Sequence, residues 1–206
     1  MSPIVSEEYK ENRKKLILES ALKCFAEKGF ELATIDDICA RSGMSKGSIY
    51  NYFKTKDDIY IQLMNEQTKA NFDYFQEHFK TISNATEKLQ FLFKTYREVS
   101  LTEDFKHLML VHGEFWLSSS RKKEIRSIML ERYQNVYKSF VIAILEEGIA
   151  SGEFRKDIDP SVISTIFWTY VDGICLDYAV LGTEYPYCEV FRKTEEMIFF
   201  LLMKRD

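Results

Sequence analysis

The sequence predicts an all-α protein, and three observations carry that expectation. Apolar residues recur at i, i+3 and i+4 along most of the chain, the spacing of one helix face. No stretch alternates apolar and polar residues over the length of a strand. The breakers are sparse, with 8 Gly and 3 Pro against 16 Phe and 12 Tyr, a composition that favours ordered helices over loops.

A first helix is expected over residues 6–28, after a short disordered tail at 1–5. Its inner face is Ile17, Ala21, Cys24 and Phe25, and Gly29 stops it. The stretch from Thr34 to Lys56 then reads as two short helices, a tight turn between them, and the start of a longer one. Thr34 with Asp37, and Thr55 with Asp58, form capping boxes three residues apart. Ile35, Ile38 and Cys39 make the apolar stripe of the first short helix. Gly43 supplies the left-handed turn, Ser45 caps the second short helix, and Ile49 and Phe53 point inward. A helix–turn–helix fits this spacing.

The helix starting at Lys56 is expected to run to about Phe79. Ile59, Tyr60 and Leu63 would close a small core with the preceding helices, whereas Phe72, Phe75 and Phe79 need a second core. The spacing thus predicts an N-terminal domain at 6–63, a linking helix to about 79, and a second domain at 80–206. A break at 82–85, with Thr86 as a weak cap, opens that domain. Helices follow at about 86–101, 104–118, 121–151, 160–181 and 188–203. Gly152 ends the third of these, and Pro160 sits at the first turn of the fourth.

Three residues of the short helices break local rules. Lys46 and Lys56 stand at first helical positions, where the macrodipole disfavours a cation, and Gly47 weakens a helix. An external polyanion would make both lysines favourable, and Gly47 would let it approach the backbone. The bland alternative is an ordinary surface helix. Bulk charge does not decide: the chain has a formal charge of −4, and residues 1–60 hold ten basic and ten acidic side chains. Binding to a polyanion must therefore come from one focused face.

The residues Ala21, Phe25, Gly29, Thr34, Ile38, Ala40, Gly43, Ser45, Gly47, Ile49, Tyr50, Tyr52, Phe53 and Lys56, at this spacing, resemble the DNA-binding domain of the tetracycline-repressor family of bacterial regulators. The resemblance implies double-stranded DNA as partner. It places Thr34 on a phosphate and Ser45, Lys46, Gly47 and Ser48 at base edges. Tyr50, Asn51 and Tyr52 would touch backbone or thymine methyls, and Lys54 and Lys56 would reach phosphates. Asp36 stands where some relatives place a basic residue.

The resemblance also implies a ligand-responsive homodimer. The last two helices are apolar on more than one face, and such helices are buried on several sides. Ile163, Phe167, Tyr170, Ile174 and Tyr178, with Met197, Ile198, Leu201 and Leu202, are the expected dimer interface. An unknown small, largely apolar effector would sit among Phe91, Tyr96, His112, Phe115, Trp116, Tyr137, Trp168 and Asp172. A packed core is the plain alternative for those rings. Asp172 and Asp177 interrupt an apolar helix and would meet either a polar ligand group or the partner chain.

No catalytic constellation, cofactor loop or metal-ligand spacing is seen around His78, His107 and His112. Cys24, Cys39, Cys175 and Cys188 form no Cys-x-x-Cys pair, and no leader or membrane span is expected, which suggests reduced thiols in a cytoplasmic protein. The reading is a repressor released from a palindromic operator by its effector. A DNA-organising protein without an inducer is the alternative, and an enzyme with an appended DNA domain ranks third.

Overall fold

The computed structural model describes residues 7–203. The expected N-terminal tail at 1–5 lies outside them. Among the described residues there is no strand. Within them ten α-helices follow one another: α1 (Glu7–Lys28), α2 (Ile35–Ser42), α3 (Lys46–Tyr50), α4 (Lys56–Phe79), α5 (Ala85–Arg97), α6 (Glu103–Ser119), α7 (Lys123–Arg132), α8 (Ser139–Ser151), α9 (Pro160–Leu181) and α10 (Tyr187–Leu202).

Local chemistry fixes the N-terminal elements. Both capping boxes are formed in full, at Thr34–Asp37 and Thr55–Asp58. Gly43 has φ +67°, the left-handed turn that hands α2 to α3. Ile17, Ala21, Phe25, Ile38, Ile49 and Ile59 are fully buried together in one core. Phe30, just past the end of α1, is equally buried and meets Phe25 and Tyr60 in edge and tilted contacts.

The second core gathers Phe75, Leu89, Phe93, Leu145, Phe154, Phe167, Phe191 and Ile198. Helix α4 serves both cores as expected, with Ile59, Tyr60 and Leu63 in the first and Phe75 in the second. Gly148 is where α8 admits the ring of Phe154. A Cβ there would lie 2.2 Å from that ring, so only glycine fits.

The structure corrects three boundaries. Asn84, not Thr86, caps α5, accepting from Glu87 N at 2.8 Å. Helix α5 ends at Arg97 rather than near 101. The long helix expected at 121–151 is divided, because residues Tyr133–Lys138 form a π-helical segment between α7 and α8. Its wider turn frees carbonyls that α9 takes up. Trp168 Nε1 donates to Tyr137 O at 2.8 Å and Ser164 Oγ to Lys138 O at 3.0 Å. A π-turn of this kind recurs near functional sites because it re-aims side chains.

The two cores are not separate bodies. Val111 and Phe115 of α6 and Met129 of α7 belong to the first core, although they come from beyond residue 80. Phe115 packs on Phe30 and Tyr60, with ring centroids at 4.9 and 4.3 Å. Glu114 accepts from Phe30 N at 2.6 Å, and Lys122 pairs with Asp57 at 2.8 Å.

Candidate DNA-binding surface and effector cavity

Helix α3 presents its N-terminal end outward. Ser45, Lys46, Gly47, Tyr50 and Asn51 are exposed, and Ser48 is half-buried. Ser45 accepts from Ser48 N at 3.2 Å, so its hydroxyl holds the first turn. The backbone at Gly47 is open: a Cβ there would meet nothing within 4 Å. No internal contact therefore requires glycine at this position. Thr34 is exposed at the start of α2, its hydroxyl engaged with Asp37. Lys54 is exposed, whereas Tyr52 is half-buried against the first core.

The two helix-start lysines differ. Lys46 Nζ pairs with Asp36 at 2.9 Å on open surface, which raises its pKa through the hydrogen bond and charge of that carboxylate. Such a pair contributes little and is easily exchanged for another anion. Asp36, in the first turn of α2, thus holds the Lys46 ammonium beside the start of that helix.

Lys56, expected on a phosphate, is turned inward instead. Its Nζ donates to Phe30 O (2.5 Å), Glu31 O (2.9 Å) and Ala33 O (3.0 Å), and lies 4.5 Å from the Phe30 ring centroid. All three ammonium protons are committed to the turn between α1 and α2, whose carbonyls at residues 30, 31 and 33 have no backbone donor there. Burial lowers its pKa. The expectation came from helix position alone, and the sequence carries no signal for the distant carbonyls.

Between α4, α5, α6, α7, the π segment and α9 lies a cavity in two lobes. One measures about 190 Å³ and the other about 330 Å³. Met64, Met109, His112, Tyr137, Trp168 and Asp172 border both. Gly113, Trp116, Met129, Arg132, Tyr133, Gly173 and Leu176 complete the first lobe, and Tyr96, Phe105 and Cys175 belong to the second. Of the expected pocket residues, Tyr96, His112, Trp116, Tyr137, Trp168 and Asp172 meet here.

Phe91 and Phe115 do not line it. Phe91 packs on Tyr74, His78 and Phe79 near the end of α4, and Phe115 faces the first core. Helical phase is the reason for Phe115. Met109, His112, Gly113 and Trp116, at i, i+3, i+4 and i+7, face the cavity; Val111 and Phe115 lie on another face. Met64, Met109, Met129 and Arg132 were missed, because nothing local marks them as lining.

The polar groups of the cavity are few. His112 stacks on Trp116 (6.4 Å, 19°), and burial, with Arg132 second, lowers its pKa to about 4, so it is neutral at pH 7. Asp172 has open surface, but that surface faces the cavity. The protein around it raises its carboxyl to about 6 by desolvation. Arg132 Nη2 donates to Thr68 Oγ1 at 3.0 Å, and Thr68 in turn shares a hydrogen bond with Tyr137 Oη at 2.7 Å.

The expected dimer stripe is largely internal. Ile163, Phe167, Ile174, Tyr178, Ile198 and Leu202 are buried in the chain's own second core, Leu201 is half-buried, and only Tyr170 and Met197 are exposed. A helix apolar all round does not reveal which stripe its own chain covers. Here α5, α6, α8 and α10 take the aromatic one. The apolar residues left open on α9 include Val162, Tyr170, Val180 and Leu181, and Met197 and Phe200 of α10 are exposed as well.

Among the described residues no three His, Cys, Asp or Glu side chains gather to hold a metal ion, and no helix is long and apolar enough to cross a membrane. Cys24 and Cys175 are buried, Cys39 is half-buried and Cys188 is exposed.

Comparison with known proteins agrees with this geometry. Residues 17–63 match the family model of bacterial regulatory proteins of the tetR family, and residues 90–188 match the tetracyclin repressor-like C-terminal domain. The HTH-type transcriptional regulator YfiR of Bacillus subtilis is 30% identical over 177 residues, spanning 84% of this chain and 83% of that protein. The fatty acid metabolism regulator protein of the same organism is 26% identical over 88% of this chain and 91% of its own length. The same fold recurs in a regulator from Saccharomonospora viridis in complex with choline (TM-score 0.77, 23% identity, 95% of this chain, 100% of that one). It recurs also in the regulator FadR from Bacillus subtilis in complex with stearoyl-CoA (TM-score 0.70, 24%, 89% and 96%). These are transcriptional regulators rather than enzymes. The chain belongs to the tetR family of bacterial regulatory proteins.

Proposed function

We propose that the protein is a cytoplasmic homodimeric repressor that reads a palindromic operator through α3 and leaves it when a small, largely apolar molecule enters the cavity. The observation that carries this reading is the double engagement of α6. One face of α6 lines the cavity, another packs Phe115 into the first core, and Glu114 between them holds the Phe30 amide. A ligand that displaces α6 acts on the seat of the DNA-binding helices without touching them. Gly113 makes the contact tight, since a Cβ there would lie 3.1 Å from Leu176 of α9. Helix α4, which borders both cores, moves with it.

In the dimer the open row on α9 and α10 meets its copy, and two α3 helices enter successive major grooves about 34–36 Å apart. Exposed Ser45, Lys46 and Gly47 support base-edge contact, Tyr50 and Asn51 backbone contact, and Thr34 and Lys54 phosphate contact. The ligand needs only a differential affinity for the DNA-incompetent spacing; a near-complete shift takes about 5.5 kcal/mol. Binding linkage is reciprocal, so operator DNA weakens the ligand by the factor with which the ligand weakens DNA. Calorimetry of a cavity ligand with and without operator tests this. Equal affinities would remove ligand control and leave DNA binding in place.

A further inference from the structure

The apolar lining of the cavity holds two groups left incomplete, the Asp172 carboxylate and Arg132 Nε, and of these only Asp172 has no polar contact at all among the described residues. The Asp172 carboxylate has neither a hydrogen-bond nor an ion-pair partner among the described residues, and it opens on both lobes. Burial alone shifts it; no positive neighbour draws it back. Arg132 does not neutralise it, being engaged with Thr68 and lying 5.9 Å from the Tyr137 ring centroid, while its Nε is buried without a partner. His112 is neutral at pH 7 and supplies no charge. A carboxylate that the surrounding protein desolvates without a counter-ion costs stability, and a cation from outside relieves that cost at neutral pH.

The walls suit such a guest. Trp168 and Tyr137 stand edge to face at 5.0 Å and 89°, and Trp116 and Tyr133 close the same lobe. Aromatic faces attract cations, most strongly away from water. An anionic head would leave Asp172 unpaired and add repulsion to it.

We propose that the ligand of this cavity carries a cationic head, an ammonium or amidinium, received by Asp172, on an apolar body covered by the rings of Trp116, Tyr133, Tyr137 and Trp168. This rests on the reading of the cavity as the effector site and adds the charge of the effector to it.

The chain's two tryptophans, Trp116 and Trp168, both line the cavity, so their fluorescence reports its occupancy. Wild type and Asp172→Asn are titrated with decyltrimethylammonium, decanol and decanoate, all below their micellar ranges. The three differ only in the head group. Wild type should bind the ammonium at least about tenfold tighter than either of the others. Asp172→Asn should erase that preference while retaining the native circular-dichroism spectrum. The inference is overturned if decanol or decanoate binds as tightly as the ammonium, if the ammonium does not bind, or if Asp172→Asn keeps the preference. Tight decanol binding that releases operator DNA would remove the cationic head and leave the ligand-released repressor standing. A bound ammonium to which operator affinity is indifferent would do the reverse.

Discussion

The two ends of the molecule treat polar groups in opposite ways. At the DNA-binding end polar groups are paired within the chain: Lys56 with three carbonyls, Glu114 with the Phe30 amide, and Thr34 and Thr55 with the acids of their capping boxes. Around the cavity, among the described residues, Asp172 has no partner and Arg132 Nε has none either. A reading head must hold its shape before DNA arrives, and this pairing of its turns and helix starts gives it that. A site left incomplete gains most from the molecule that completes it. The unsatisfied half also carries the open apolar row of α9.

That row should show the largest effect. Val180→Asp combined with Met197→Asp should turn a dimer into a monomer in analytical ultracentrifugation at micromolar concentration. Phe167→Asp should unfold the chain instead, because Phe167 is in its own core. A dimer that survives the double substitution would place the interface elsewhere.

Next in size is Lys56→Met, which strands the carbonyls of residues 30, 31 and 33. Unpaired buried polar groups cost about 1–3 kcal/mol each, and partial exposure reduces the sum here to about 2–3 kcal/mol in urea unfolding. The salt dependence of DNA binding, measured on the folded fraction, should keep its slope. A slope reduced by about 1 would put Lys56 back on a phosphate.

Asp172→Asn should act in the other direction. The folded carboxyl titrates at about 6 against 3.8 when free. Its raised pKa means that stability is greatest below pH 4 and is lost as pH climbs through 6. The substitution should therefore stabilise the protein at pH 7 by on the order of 1 kcal/mol, a figure reduced for water in the cavity, and have no effect below pH 4. A loss of stability at pH 7 would mean that Asp172 has a partner.

The smallest effect on stability belongs to Gly47→Ala. Its open surroundings predict a gain of up to about 1 kcal/mol, while operator affinity falls because the added methyl meets DNA. Unchanged affinity in a gel-shift titration would separate Gly47 from the DNA face.

The same contrast explains how much was legible in the sequence. Capping boxes, the Gly43 turn and the stripes of α1 to α4 are local, so they could be read from neighbours in the chain. The destination of Lys56 depends on carbonyls 23 to 26 residues away, and no local rule reports it. In the second half Phe115 and Trp116 are adjacent in sequence yet face a core and a cavity, because the phase of α6 decides. The aromatic stripe of α9 was read as an interface because its pattern cannot say which of two apolar faces the chain covers itself. The π segment has no sequence signature, although Trp168 and Ser164 supply its missing donors.

The central claim is that α6 joins the cavity to the DNA-binding end, and the amide of Phe30 reports on that joint. It donates to Glu114 Oε2 at 2.6 Å, directly between the two. Its hydrogen exchange can be followed by NMR with and without whichever decyl probe binds. The account predicts that a bound probe speeds exchange at Phe30 while leaving the buried amide of Ile17 on α1 unchanged. Unaltered exchange at Phe30, with the cavity occupied as judged by tryptophan fluorescence, would contradict it.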